Sequence, residues 1–108
     1  MKNKYRNIKC NGYDSKREAG RASQLDLLEK AGIIFNLEKQ VKFELQPKFR
    51  NKQGVAIRKI DYICDFVYFD TKKEYWVAED SKGFRTKDFI LKSKMFQFKY
   101  PQYYFLET

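Results

Sequence analysis

Residues 59–69 read KIDYICDFVYF and residues 75–82 read YWVAEDSK, joined by Asp70-Thr71-Lys72-Lys73-Glu74. Both runs are rich in Tyr, Ile, Val and Phe and the link is polar, so the pair reads as an antiparallel β-hairpin. A two-residue turn at Lys72-Lys73 sets Asp65 opposite Asp80. Strand alternation puts Asp61, Ile63, Asp65 and Val67 on one face of the first strand. Trp76, Ala78, Asp80 and Lys82 share one face of the second. Two carboxylates and a lysine are therefore expected to converge at one edge of a sheet.

Working outward toward the N-terminus, Val41, Phe43 and Leu45 alternate with Lys42 and Glu44 until Pro47, the pattern of a half-buried strand. Residues 47–54 (PKFRNKQG) read as a polar, basic loop. Before the strand, Ser15 and Glu18 have capping-box spacing and Gly32 supplies a stop, which predicts a helix over 15–31. Its stripe is Ala22, Leu25 and Leu28, and Glu18, four residues before Ala22, points toward whatever the helix packs on. Toward the C-terminus, Gly83 breaks the hairpin, Thr86 caps a helix over 87–99, and Pro101 follows its end. Leu91, Met95 and Phe98 are expected on that helix's packed face, and residues 102–106 add a last strand. The order α, β, β, β, α, β implies an α/β (α+β) fold, a mixed central sheet with one early and one late helix.

The chain has 108 residues and a net charge of +9, so residues 1–108 are read as one domain. Its basic N-terminal arm, residues 1–12, carries Lys2, Lys4, Arg6 and Lys9. Aromatics at 18% suffice for a core without disulfides or metal staples. The absence of histidine removes triads and imidazole bases, leaving carboxylates, Lys and Tyr for any acid–base or metal work. Cys10 and Cys64 form no metal-binding motif and read as ordinary thiols. No apolar run approaches a bilayer span and the start lacks a secretory signal, so a cytoplasmic protein with no membrane partner is expected. The surplus of positive charge favours a polyanion, nucleic acid first, over a merely solubilising surface.

Asp65, Asp80 and Lys82 are the parts a hydrolytic metal site needs. Hard carboxylate oxygens hold Mg²⁺, and a lysine can orient water or stabilise charge on a phosphate. Asp65 followed by Asp80-Ser81-Lys82 on the next strand, preceded by a helix bearing Glu18, resembles the pattern of the PD-(D/E)XK nuclease superfamily. The likeness is closest to a phage-encoded family of unassigned function placed within it. It is carried by Tyr13-Asp14-Ser15-Lys16-Arg17-Glu18, Leu37-Glu38-Lys39-Gln40, Tyr62-Ile63-Cys64-Asp65-Phe66, Val77-Ala78-Glu79-Asp80-Ser81-Lys82-Gly83 and Leu91-Lys92-Ser93-Lys94. The resemblance implies a restriction-endonuclease-like core and a phage- or prophage-encoded endonuclease cutting DNA with Mg²⁺, or Mn²⁺ as a substitute. It further implies 5′-phosphate and 3′-hydroxyl products and a homodimer. Asp65, Asp80 and Glu18 would be metal ligands and Lys82 the motif lysine.

Cys64 stands where the superfamily name has proline. The adjacent Glu79 competes with Asp80 for the motif position, but two-residue periodicity with Lys82 favours Asp80 unless a bulge intervenes. Glu18 is also read as the partner of a Ser15 cap, Asp61 as an exposed strand carboxylate, and Gln40 as a polar strand end or a contact to substrate. Lys16, Arg17, Arg85, Lys87, Lys92 and Lys94 suit phosphate contacts, their alternative being solvated helix faces. The second functional reading is a non-catalytic nucleic-acid-binding module on the same fold.

Overall fold

The structure, a computed structural model, describes residues 16–108. The basic arm, Cys10 and the Ser15 cap lie outside the described residues. Helix α1 (Lys16–Lys30) is followed by β1 (Ile34–Gln46), a small hairpin of β2 (Phe49–Arg50) and β3 (Ala56–Ile57), then β4 (Ile60–Asp70), β5 (Tyr75–Asp80), α2 (Lys87–Lys99) and β6 (Tyr103–Glu107). The main sheet has the order β1-β4-β5-β6. Its first two pairings are antiparallel and β5–β6 is parallel, the connection running through α2. The sheet is mixed, as expected.

Helix α1 stops where the sequence said it would. Gly32 has φ +77°, and Ile33 N–H donates to the Leu28 carbonyl at 2.9 Å, a left-handed cap that a side chain at Gly32 would strain. At α2, Thr86 Oγ1 accepts from Phe89 N–H at 3.0 Å, the predicted cap.

Two apolar clusters lie on opposite faces of the sheet. Ala22 and Leu25 of α1 pack with Phe66, Tyr68 and Val77, while Phe89 and Phe96 of α2 pack with Phe43, Tyr62, Cys64, Val67 and Ala78. Sandwiching the sheet this way explains why Asp65 through Tyr68 are all buried. A strand covered on both sides loses its alternation of burial.

Three expectations change. Strand β1 begins at Ile34, seven residues before Val41, because Asn36 at φ +55° and the register shift beside it hide the strand's period. The hairpin register is the expected one, with Phe66 opposite Glu79 and Val67 opposite Ala78, but its loop is Thr71–Glu74. The Asp70 carboxylate closes it by accepting from Lys72 and Lys73 N–H at 2.9 Å each. On α2 the buried face is Phe89, Ser93 and Phe96; of the expected Leu91, Met95 and Phe98, Met95 packs half-buried against the core while Leu91 and Phe98 are exposed.

A fourth change bears on the site. Asp61, Ile63, Asp65 and Val67 do not share one face, since Cys64 and Val67 belong to the same cluster and Phe66 to the other. The alternation of β4 changes phase beside Asp65. Opposite it, between the pairs Lys39–Phe66 and Val41–Cys64, Gln40 takes φ +55°. Both strands are distorted at the level where the acidic residues meet.

Candidate metal and nucleic-acid site

Asp80 ends β5 with 0% exposure. Tyr62 O–H donates to its Oδ2. Its Oδ1 is buried without a hydrogen-bond partner and faces Lys82 Nζ at 3.4 Å. Burial, then the neighbouring Asp65, pushes the Asp80 carboxyl from its ordinary 3.8 up to about 7, against the opposing pull of Tyr62 and Lys82. An ionised carboxylate with an orphaned oxygen in such a place is costly alone and is relieved by a cation.

Asp65 is buried beside it. Its Oδ2 accepts from Ser81 N–H at 2.9 Å, which ties the carboxylate to the backbone between Asp80 and Lys82. Its Oδ1 faces the Gln40 amide at 3.4 Å, and the same Gln40 Nε2 donates to Glu18 Oε2 at 2.6 Å. Glu18 thus reaches the cluster from α1, as the helical stripe predicted, through an amide bridge. Left-handed backbone is uncommon for glutamine and marks a position that its surroundings hold in place.

Glu79 faces the other way. Its carboxylate, fully buried, accepts from Arg21 Nη2 at 3.0 Å, Tyr68 O–H at 2.6 Å and Thr108 Oγ1 at 3.0 Å. It clamps α1 to β5 and β6, and it leaves Asp80 as the acid beside Asp65 and Lys82.

Residues 2–106 match the family described as Protein of unknown function (DUF1064). The chain belongs to the DUF1064 family. No curated protein and no solved structure gives a significant match.

In this DUF1064 chain the predicted basic residues fall in four places. Lys16 and Arg17 line an open cleft of 300 Å³ that includes Ser81 and Arg21. Lys92 and Lys82 line a second cleft, of 260 Å³, with Tyr62 and Thr86. Ser81 lines the first cleft and Lys82 the second, while Asp65 and Asp80 are buried and line neither. Arg85 pairs with Glu107 at 3.2 Å and Lys87 is exposed at the start of α2. Lys94 lies away from the site, in a groove with Met95 and Phe98.

Among the described residues no group of three or more Asp, Glu and Cys side chains is drawn together as a ready-made ligand set. Asp65 and Asp80 lie side by side, and Glu18 is joined to Asp65 through the Gln40 amide. Their oxygens are of the hard type that Mg²⁺ and Mn²⁺ prefer, and the orphaned Asp80 Oδ1 fits a cation. Burial, then the Asp80 charge, pushes the Cys64 thiol up to about 12, and its Sγ donates toward the Phe66 and Glu79 carbonyls.

Two members of the DUF1064 site escaped sequence reasoning. Regular alternation would put Tyr62 on the face opposite Asp65, and the phase change in β4 turns it toward Asp80. Arg21 shares the cleft and the Glu79 clamp, but on α1 it looks like any solvated helix residue.

Proposed function

We propose that this DUF1064 protein is a divalent-metal-dependent endonuclease of the PD-(D/E)XK type that hydrolyses DNA phosphodiester bonds, working inside a bacterial cell as a phage- or prophage-encoded enzyme. The observation that carries this reading is the convergence of Asp65, Asp80 and Lys82, with Asp80 Oδ1 buried and unpartnered but for the lysine. Asp65 and Asp80 would hold Mg²⁺ or Mn²⁺, with Glu18 joining once Gln40 releases it. A cation bound there would polarise a phosphate oxygen and make a water more acidic.

The chain's own residues supply the rest. Lys82, 35% exposed, keeps its ammonium between Asp80 and solvent, where it can orient the attacking water or stabilise charge building on the phosphate. Lys16 and Arg17 on one side and Lys92 on the other provide counter-charges for the phosphates that flank the scissile one. The net charge of +9 draws the polyanion in. The distribution of roles matches the chemistry, since the carboxylates are buried and the lysines line the open clefts.

The absence of a preassembled third ligand among the described residues favours, as the second reading, a module on the same fold that binds DNA without cutting it. Incubation with plasmid, single-stranded and branched DNA in Mg²⁺ or Mn²⁺ separates the two. Cleavage that disappears in Asp65→Asn and Asp80→Asn while DNA binding persists supports the enzyme, and Lys82→Ala is expected to slow cleavage by about 100-fold or more. Binding without cleavage under every condition establishes the module.

A further inference from the structure

Helix α2 has two apolar sides. Phe89, Ser93 and Phe96 face the sheet, whereas Leu91, Met95 and Phe98 recur at the spacing of a helix–helix seam and centre about 160° away around the axis. Leu91 is 59% and Phe98 88% exposed. Met95 and Phe98, with Leu45, Lys94 and Lys99, line an open groove of 390 Å³ beside the end of β1. Leu91 and Phe98 are exposed on either side of Met95, which is half-buried against the core, and an apolar surface of this kind marks a place that something covers.

The margins of the stripe say what kind of partner fits. Lys87 and Lys94 flank it on one side and Lys92 and Lys99 on the other. The helix's single acid, Asp88, is met by Lys92 at 3.8 Å. Residues beside an apolar seam select partners by charge. A second copy would bring four more lysines against these four. Residues 1–12 are no better suited, having four basic side chains and no acidic one. A phosphate backbone would satisfy the lysines but leave Leu91 and Phe98 in water.

We propose that the Leu91–Met95–Phe98 face of α2 docks an acidic amphipathic helix of a different protein, its apolar residues seated on the stripe and its carboxylates against the flanking lysines. Asp65, Asp80 and Lys82 do not line the groove beside the stripe, and of the flanking lysines Lys92 alone also lines the cleft assigned to phosphate in the nuclease reading.

The probe is a synthetic peptide helix with leucine at the seam positions and glutamate beside them, paired with a scrambled peptide of the same composition. Fluorescence anisotropy at about 0.15 M salt is expected to show micromolar binding of the patterned peptide only. Leu91→Ala and Phe98→Ala should each weaken it by about tenfold or more with unchanged Tm, because neither side chain packs in the core. Equal binding of the scrambled peptide, or indifference to both substitutions, overturns the proposal. A wild-type dimer in sedimentation that Phe98→Asp dissociates would overturn it in favour of a second copy. Loss of DNA affinity in Phe98→Ala without peptide binding would overturn it in favour of nucleic acid.

Discussion

Replacing Asp80 by Asn is expected to make the cation-free protein more stable while abolishing the proposed cleavage. In the unfolded chain the Asp80 carboxyl titrates near its ordinary 3.8; in the fold it titrates near 7, chiefly because it is buried. Between those values the folded protein holds a proton that the unfolded chain has already released. Stability therefore falls as pH rises through this window, and the contribution is intact only below the unfolded value. The span is about three pH units, at roughly 1.36 kcal/mol each, so the cost of ionised Asp80 approaches 4 kcal/mol above pH 7. Relaxation and water entry reduce it toward about 2 kcal/mol. Asparagine stays neutral, keeps the shape and can still accept from Tyr62. The stability difference between Asp80→Asn and wild type should thus grow between about pH 4 and pH 8 by roughly 2–4 kcal/mol, or about 10 °C or more in Tm for a domain of this size. Urea or thermal unfolding in EDTA across that range measures it, and taking the difference cancels the groups that do not touch Asp80, leaving Asp80 with its neighbours Asp65, Tyr62 and Lys82. A difference that stays flat with pH, or shrinks as pH rises, refutes the assignment of a raised Asp80. With Mg²⁺ or Mn²⁺ added at pH 8 the wild type should gain stability and the variant should not.

Two further substitutions separate clamp from chemistry. Glu79→Ala removes the fully buried acceptor shared by Arg21, Tyr68 and Thr108 and should cost about 1–3 kcal/mol by urea denaturation; equal stability to wild type would deny the clamp. Gln40→Met removes the donor shared by Glu18 and Asp65 and should cost about 1–3 kcal/mol in EDTA. Loss of the same size in Gln40→Asn, whose side chain tolerates left-handed backbone but is one methylene shorter, would assign the effect to reach rather than chemistry. An unchanged urea midpoint in both variants would show that the bridge carries no weight.

Much of the fold was legible because local signals were strong. The caps at Thr86 and Gly32 mark helix ends through the chain's own hydrogen bonding, and the polar link after Asp70 sets a register that brings Asp65 and Asp80 to the same level. Glu18 could be placed on the packed side of α1 from helical period alone. Reading failed wherever the period itself was altered. Asn36 and Gln40, both in left-handed backbone, concealed the first half of β1. The choice between two apolar sides of α2 also lay beyond periodicity, since both repeat at helical spacing and only the position of the sheet selects Phe89 and Phe96.

What the sequence by itself determined was the main inventory and its order, without the small β2–β3 hairpin that lies partly in the stretch read as loop: two helices around a mixed sheet, no imidazole, and acids and a lysine spaced to meet on neighbouring strands. Those properties follow from bonds between residues close in the chain and from two-residue and 3.6-residue periods. Tertiary structure decided which oxygen is left without a partner. Tyr62, Gln40 and Ser81 reach the carboxylates only because β4 changes phase between layers that cover it on both faces. Burial then turns Asp80 from an ordinary acid into one that a proton or a cation must satisfy.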